Sequence, residues 1–210
     1  MDAALQILRK NIPSTVAASS KFGGFKPETD HPIRNPEVAS RPVLEEIKAV
    51  WSRCHIDNGV LAAVNGCREM RAGLRRIGYS AKDVEDFSVM LAEFQGERRF
   101  SEKAGIFLSL LVSDGRDADY IIHTAHFAVP ISQIGTQNTK NITVKGSAGD
   151  SLGFLMKRGL ISVQGDAGRD VGLMMEDGEI RVEGAIGSIA FTANMLSGRI
   201  VRMEEQMDGK

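Results

Sequence analysis

ITVKGSAGDSLGFLMKRG (Ile142 to Gly159), ISVQGDAGRDVGLMMEDG (Ile161 to Gly178) and IRVEGAIGSIAFTANMLSG (Ile180 to Gly198) are three copies of one pattern, and a fourth opens at Ile200. Gly146, Gly165 and Gly184 stand nineteen residues apart, and Gly149, Gly168 and Gly187 keep the same step. Met156 and Met175 keep it as well. Met195 comes one residue late, so the third copy carries a one-residue insertion. A fixed period of about 20 residues marks a stacked repeat architecture.

Each copy opens Ile-x-Val: Ile142/Val144, Ile161/Val163, Ile180/Val182. Alternate residues of a strand face one side, so each pair makes an apolar stripe that one strand cannot bury alone. If each copy is one turn of a coil, stripes stack at about 4.8 Å and a continuous core results. Gly146, Gly149, Gly153, Gly165, Gly168, Gly172, Gly184 and Gly187 then fall at structural corners, which need φ > 0 or tolerate no Cβ against the next coil. Leu152, Val171, Ala190 and the methionines fill the remaining interior. The pattern predicts a right-handed parallel β-helix of about three coils. A meander of Gly-rich hairpins would not need a step of nineteen.

At GSAGDSLG (Gly146 to Gly153), GDAGRDVG (Gly165 to Gly172) and the Met-x-x-Gly endings, the chain resembles the GXGXG-repeat β-helix family. That family includes the C-terminal domain of the large chain of glutamate synthase and the main part of one component of formylmethanofuran dehydrogenase. The first copy looks more like glutamate synthase, and the second fits either. The third departs: Ala185-Ile186 replaces the small polar pair, and Phe191 stands where the others have glycine. The resemblance implies a bracing domain without catalytic residues, serving a separately encoded enzyme. The amidotransferase part of glutamate synthase uses an N-terminal cysteine, whereas this chain starts Met1-Asp2. It has no cysteine cluster for an iron–sulfur centre and no βα repeat for an FMN barrel.

Upstream, residues 2–10 suggest a short helix. Residues 11–42 are punctuated by Pro13, Pro27, Pro32, Pro36 and Pro42 and read as an extended arm. A helical domain is expected over 43–119. Pro42 suits a first helical position, and Val43, Leu44, Ile47, Val50, Trp51 and Cys54 share one face. Asp57 caps a second helix through Val60, Leu61, Val64, Cys67, Met70, Leu74 and Ile77, stopped by Gly78. Ser80 to Asp83 reads as a capping box opening a third helix, through Val84, Phe87, Met90, Leu91 and Phe94. Ser101 is the expected cap of a fourth through Ile106, Phe107, Leu110 and Leu111, although GIFLSLLV also suits a buried strand. Residues 120–129 read as a strand. Stepping back nineteen from the first copy meets Phe127, Pro130 and Ile134, so the β-helix domain, 120–203, is expected to begin with a degenerate coil. Residues 204–210 form an acidic tail.

The fold class is therefore α+β, an N-terminal helical domain followed by a short β-helix. The 210 residues carry a formal net charge of −1 and only 6% aromatics, which gives no pull toward nucleic acid or anionic membrane. No apolar run approaches a membrane span, and the expected setting is cytoplasmic. His123, His126, Cys54 and Cys67 are the metal candidates. Positions three apart on a strand face opposite sides, however, and both cysteines sit on apolar helical faces. The Gly-rich loops precede no helix that would bind phosphate. No cofactor is expected. The expected partners are a second copy (a homo-oligomer) or another protein subunit, docked on the end of the coil at Arg199 to Arg202 or on the adjacent flat faces of the coil. The alternative function is a small enzyme or ligand- or metal-binding protein with its site where helices and coil meet.

Overall fold

The computed structural model describes residues 41–56, 68, 70–190 and 198–203. The expected helix at 2–10, the arm up to 40, Asp57 through Cys67, Phe191, Met195 and the acidic tail lie outside these residues. The described elements are helices α1 (Pro42–Arg53), α2 (Ala81–Met90) with a following 3-10 turn (Leu91–Phe94), and α3 (Phe100–Asp114). Strands β1 (Asp119–His123), β2 (Asn141–Lys145), β3 (Leu160–Val163), β4 (Glu179–Val182) and β5 (Arg199–Arg202) follow. Helical residues 70–74 add Met70 and Leu74 to the core.

The five strands form one sheet in sequence order, every neighbouring pair parallel. Tyr120, Ile142, Ile161, Ile180 and Ile200 make one row across it, and Ile122, Val144, Val163 and Val182 a second. A parallel pair needs a long crossover, and here each crossover is the remainder of a coil. Ile131, Ala148, Ala167 and Ile186 pair in turn on another side, also in parallel. This is a parallel β-helix of about four turns, one more than the three expected. The extra turn is the first. Its strand row is further from the next in sequence (Tyr120 to Ile142) than later rows are (Ile142 to Ile161). Its far corner is nearer, Gly135 answering to Gly153. A step of nineteen therefore meets no glycine in it, and the turn stands where the degenerate first coil is expected.

The strand expected over 120–129 stops at His123. There the Thr124 and Ala125 N–H groups both turn to the Lys145 carbonyl, and the Phe127 N–H closes onto the Thr124 carbonyl. Inside the coil Ile134, Leu152 and Val171 are fully buried, and Ala190 nearly so. Met156 and Met175 stack at 0% exposure. In the first turn Asn138 replaces the methionine, and its amide satisfies itself on the Lys140 backbone, donating at 2.7 Å and accepting at 3.1 Å.

The helices cover the first turn, and helices and coil share one hydrophobic cluster. Pro42 occupies the first turn of α1, as expected. Ser80 and Asp83 form the reciprocal capping box of α2. GIFLSLLV is helical: residues from Phe100 to Val112 are buried almost all round, because α3 lies between the other helices and the coil. Its N-cap is Arg99, held left-handed at φ 57, and not Ser101. Trp51 centres the helical layer, its ring 5.3 Å from Phe107 and 5.5 Å from Phe94.

Candidate functional site

The open lower edge of a parallel coil leaves backbone N–H groups without partners, which must be satisfied or exposed. Three serines on the helices do this. Ser88 of α2 accepts the His123 N–H at 3.0 Å. Ser101 of α3 accepts the Ser132 N–H at 3.0 Å and donates to the Pro130 carbonyl. Ser109, two turns further along α3, accepts the N–H groups of Gly135 at 2.8 Å and Thr136 at 3.1 Å. Beside them Gly105 lies so close to the Ser132 carbonyl that no Cβ would fit.

The coil's own polar side chains act between turns. Ser132 accepts the Asp150 N–H, Ser147 the Asp166 N–H, and Ser188 the Asp170 N–H. Asp150 accepts the Arg169 N–H at 2.8 Å and is bridged by the Arg169 guanidinium, which holds its carboxyl below the usual carboxylate range. Asp166 accepts the Ala185 N–H at 2.7 Å. Glu179 is shared by Arg181 and Arg199.

The corner glycines divide into two kinds. Gly146, Gly153 and Gly172 have φ of 126, 70 and 72. Gly149, Gly165, Gly168, Gly184 and Gly187 have ordinary backbone, but a Cβ on any of them would come within 3.0 Å of an atom of the preceding coil. For Gly165 those atoms include the Gly146 carbonyl carbon at 2.9 Å.

The described metal candidates, Cys54, His123 and His126, do not converge. Cys54 is buried in the core where α1 ends, and Cys67 lies outside the described residues. His123 gives one ring nitrogen to Glu85 at 3.0 Å, and this bond, with help from Lys82, lowers the Glu85 pKa. His126 follows the strand rather than sharing it. It packs 4.0 Å from the Phe127 ring centroid, its Nε2 buried without a hydrogen-bond partner among the described residues. Burial pushes its pKa down, and the nearby His123 adds to this. Among the described residues no three His, Cys, Asp or Glu side chains are grouped to hold an ion.

Cavities lined by the described residues include three. One of about 460 Å³ opens between the end of α1 and the start of α3, lined by Cys54, His55, Glu97, Arg98, Arg99 and Lys103 among others. Lys103 is buried there, 2.8 Å from Glu97 and 4.0 Å over the Trp51 ring. A second, of about 520 Å³, lies between Tyr79, Asp83, Asp114 and Arg116. The third, about 380 Å³, is at the junction of helices and coil. Its polar side chains are the Ser101, Ser132, Ser147, Asp150 and Asp166 already joined to backbone. Sequence reasoning misses the serine bridges of α2 and α3, though a serine inside the apolar run GIFLSLLV is a signal for one of them.

Comparison with known proteins found no matching protein-family model, no similar curated protein and no similar solved structure. Among the described residues no helix is long and apolar enough to cross a membrane.

Proposed function

We propose that this chain is a non-catalytic structural module of the GXGXG-repeat kind, right-handed as parallel crossovers are, which braces or assembles a separately encoded enzyme complex in the cytoplasm. The observation that carries the reading is the use of the coil's polar groups. A catalytic acid, base or nucleophile must reach a substrate. Ser132, Ser147, Asp150, Asp166 and Ser188 instead each bond backbone of an adjoining turn. The helices bind the first turn in the same manner, and the partner protein is assigned to the last turn. We put that partner against β5, where Ile200 and Val201 are half-buried. A component resembling the β-helical part of formylmethanofuran dehydrogenase would work in the same way.

The second reading is a ligand-binding protein or small enzyme. The 380 Å³ cavity at the helix–coil junction favours it. Purification of the tagged chain from its native cells separates the two. Co-purifying amidotransferase, flavin or molybdenum/tungsten subunits support the brace. A protein recovered alone, holding a stoichiometric metal or small molecule, overturns it.

A further inference from the structure

One corner of the coil repeats an unusual backbone. Gln137, Leu155 and Met174 occupy equivalent places in successive turns and have φ of 55, 54 and 56. They are joined along the stack, Gln137 N–H to the Phe154 carbonyl and Leu155 N–H to the Leu173 carbonyl. Left-handed backbone suits glycine or asparagine and strains a bulky side chain. Leucine and methionine stand there all the same. Leu155 and Leu173 are half-buried and Met174 is 48% exposed, so the second and third turns carry an apolar ridge.

Charge is ordered beside the ridge. After each ridge residue the chain turns inward at a buried methionine, Met156 or Met175, and then outward again. In the second turn the next two residues are Lys157 and Arg158; in the third they are Glu176 and Asp177, and all four are exposed. A two-fold axis between these turns, perpendicular to the stack, lays the second turn of one molecule against the third turn of another. Leu155 then meets Met174, and the basic pair meets the acidic pair, twice. This is the self-complementarity that an isologous interface requires.

We propose that this ridge is a self-association surface, and that the chain forms a two-fold dimer through residues 155–158 and 174–177. A second copy is the occupant because the charge pattern is complementary to itself under that axis. The proposal stands apart from the brace reading: loss of the dimer leaves co-purification of an enzyme subunit unaffected, and the reverse.

Sedimentation velocity of the full chain at micromolar concentration tests it. Wild type sediments as a dimer. Lys157→Glu with Arg158→Glu yields a monomer, as does Glu176→Lys with Asp177→Lys. All four changes together restore the dimer. Met174→Asn puts a residue at ease in left-handed backbone, so it keeps or raises the melting temperature and still weakens the dimer. A monomeric wild type overturns the proposal. So does a dimer indifferent to either charge reversal, or one that the combined variant fails to recover.

Discussion

Gly153 and Ile180 belong to different turns of the coil and occupy one space: a Cβ on Gly153 would stand 2.5 Å from Ile180 Cδ1. Gly172 is related in the same way to Ile200, and Gly135 to Ile161. Glycine is needed there twice, for its left-handed φ and for the isoleucine. Gly153→Ala should therefore cost about 2–4 kcal/mol, from backbone strain plus overpacking. Urea unfolding measures it, and a change within about 0.5 kcal/mol would place the corner elsewhere.

Gly165 tests the other kind of corner. Its backbone is ordinary, but the Gly146 carbonyl carbon and the Ser147 nitrogen would both lie 2.9 Å from a Cβ. Neither can rotate away, so Gly165→Val should cost about 1–3 kcal/mol or more. A variant that melts like the parent would refute the stacking register.

Ser109 holds two backbone N–H groups of the first turn, those of Gly135 and Thr136. Its hydroxyl is buried, so Ser109→Ala strands both donors away from water. The expected loss is about 2–4 kcal/mol, with faster amide exchange at those two residues. Unchanged exchange there would mean that α3 does not close the coil.

Acid should weaken the fold in two steps. His126 has its pKa lowered from 6.5, mainly by burial. Its contribution is fully present above pH 6.5 and is lost as pH falls through the lower folded value. Glu179 is drawn from 4.5 to about 2 by Arg181 and then Arg199. Its contribution is fully present above pH 4.5 and is lost as pH falls through about 2. His126→Phe should flatten the first step and Glu179→Gln the second in denaturation followed against pH. Slopes identical to wild type would contradict both assignments.

Purified protein should carry neither zinc nor iron in stoichiometric amount. Elemental analysis near one metal per chain would overturn the packing roles of Cys54, His123 and His126.

The later turns are legible in the sequence because their glycines and Ile-x-Val pairs keep one step. The helices announce themselves at Pro42 and Ser80. The first turn is legible only as a degenerate coil: Gly135 keeps the corner, but Asn138 stands for methionine, and the loop after His123 puts the strand out of step. Ser101 reads as a helix cap because a serine near a helix start has two uses, and only the fold shows it turned to the Ser132 N–H. No sequence rule marks Leu155 or Met174 as left-handed, since the hydrogen bonds between turns impose that backbone against the residues' own preference.

The function proposed for this chain is to hold another protein at the end of the coil. Affinity purification from native cells is the measurement, comparing the wild type with Val201→Lys, since Val201 alternates on β5 with Ile200, which packs against the core. Wild type should bring down an enzyme subunit in fixed ratio, and the variant should emerge folded and without it. A wild type recovered alone with a bound metal or small molecule, or an enzyme subunit retained equally by the variant, would contradict the claim.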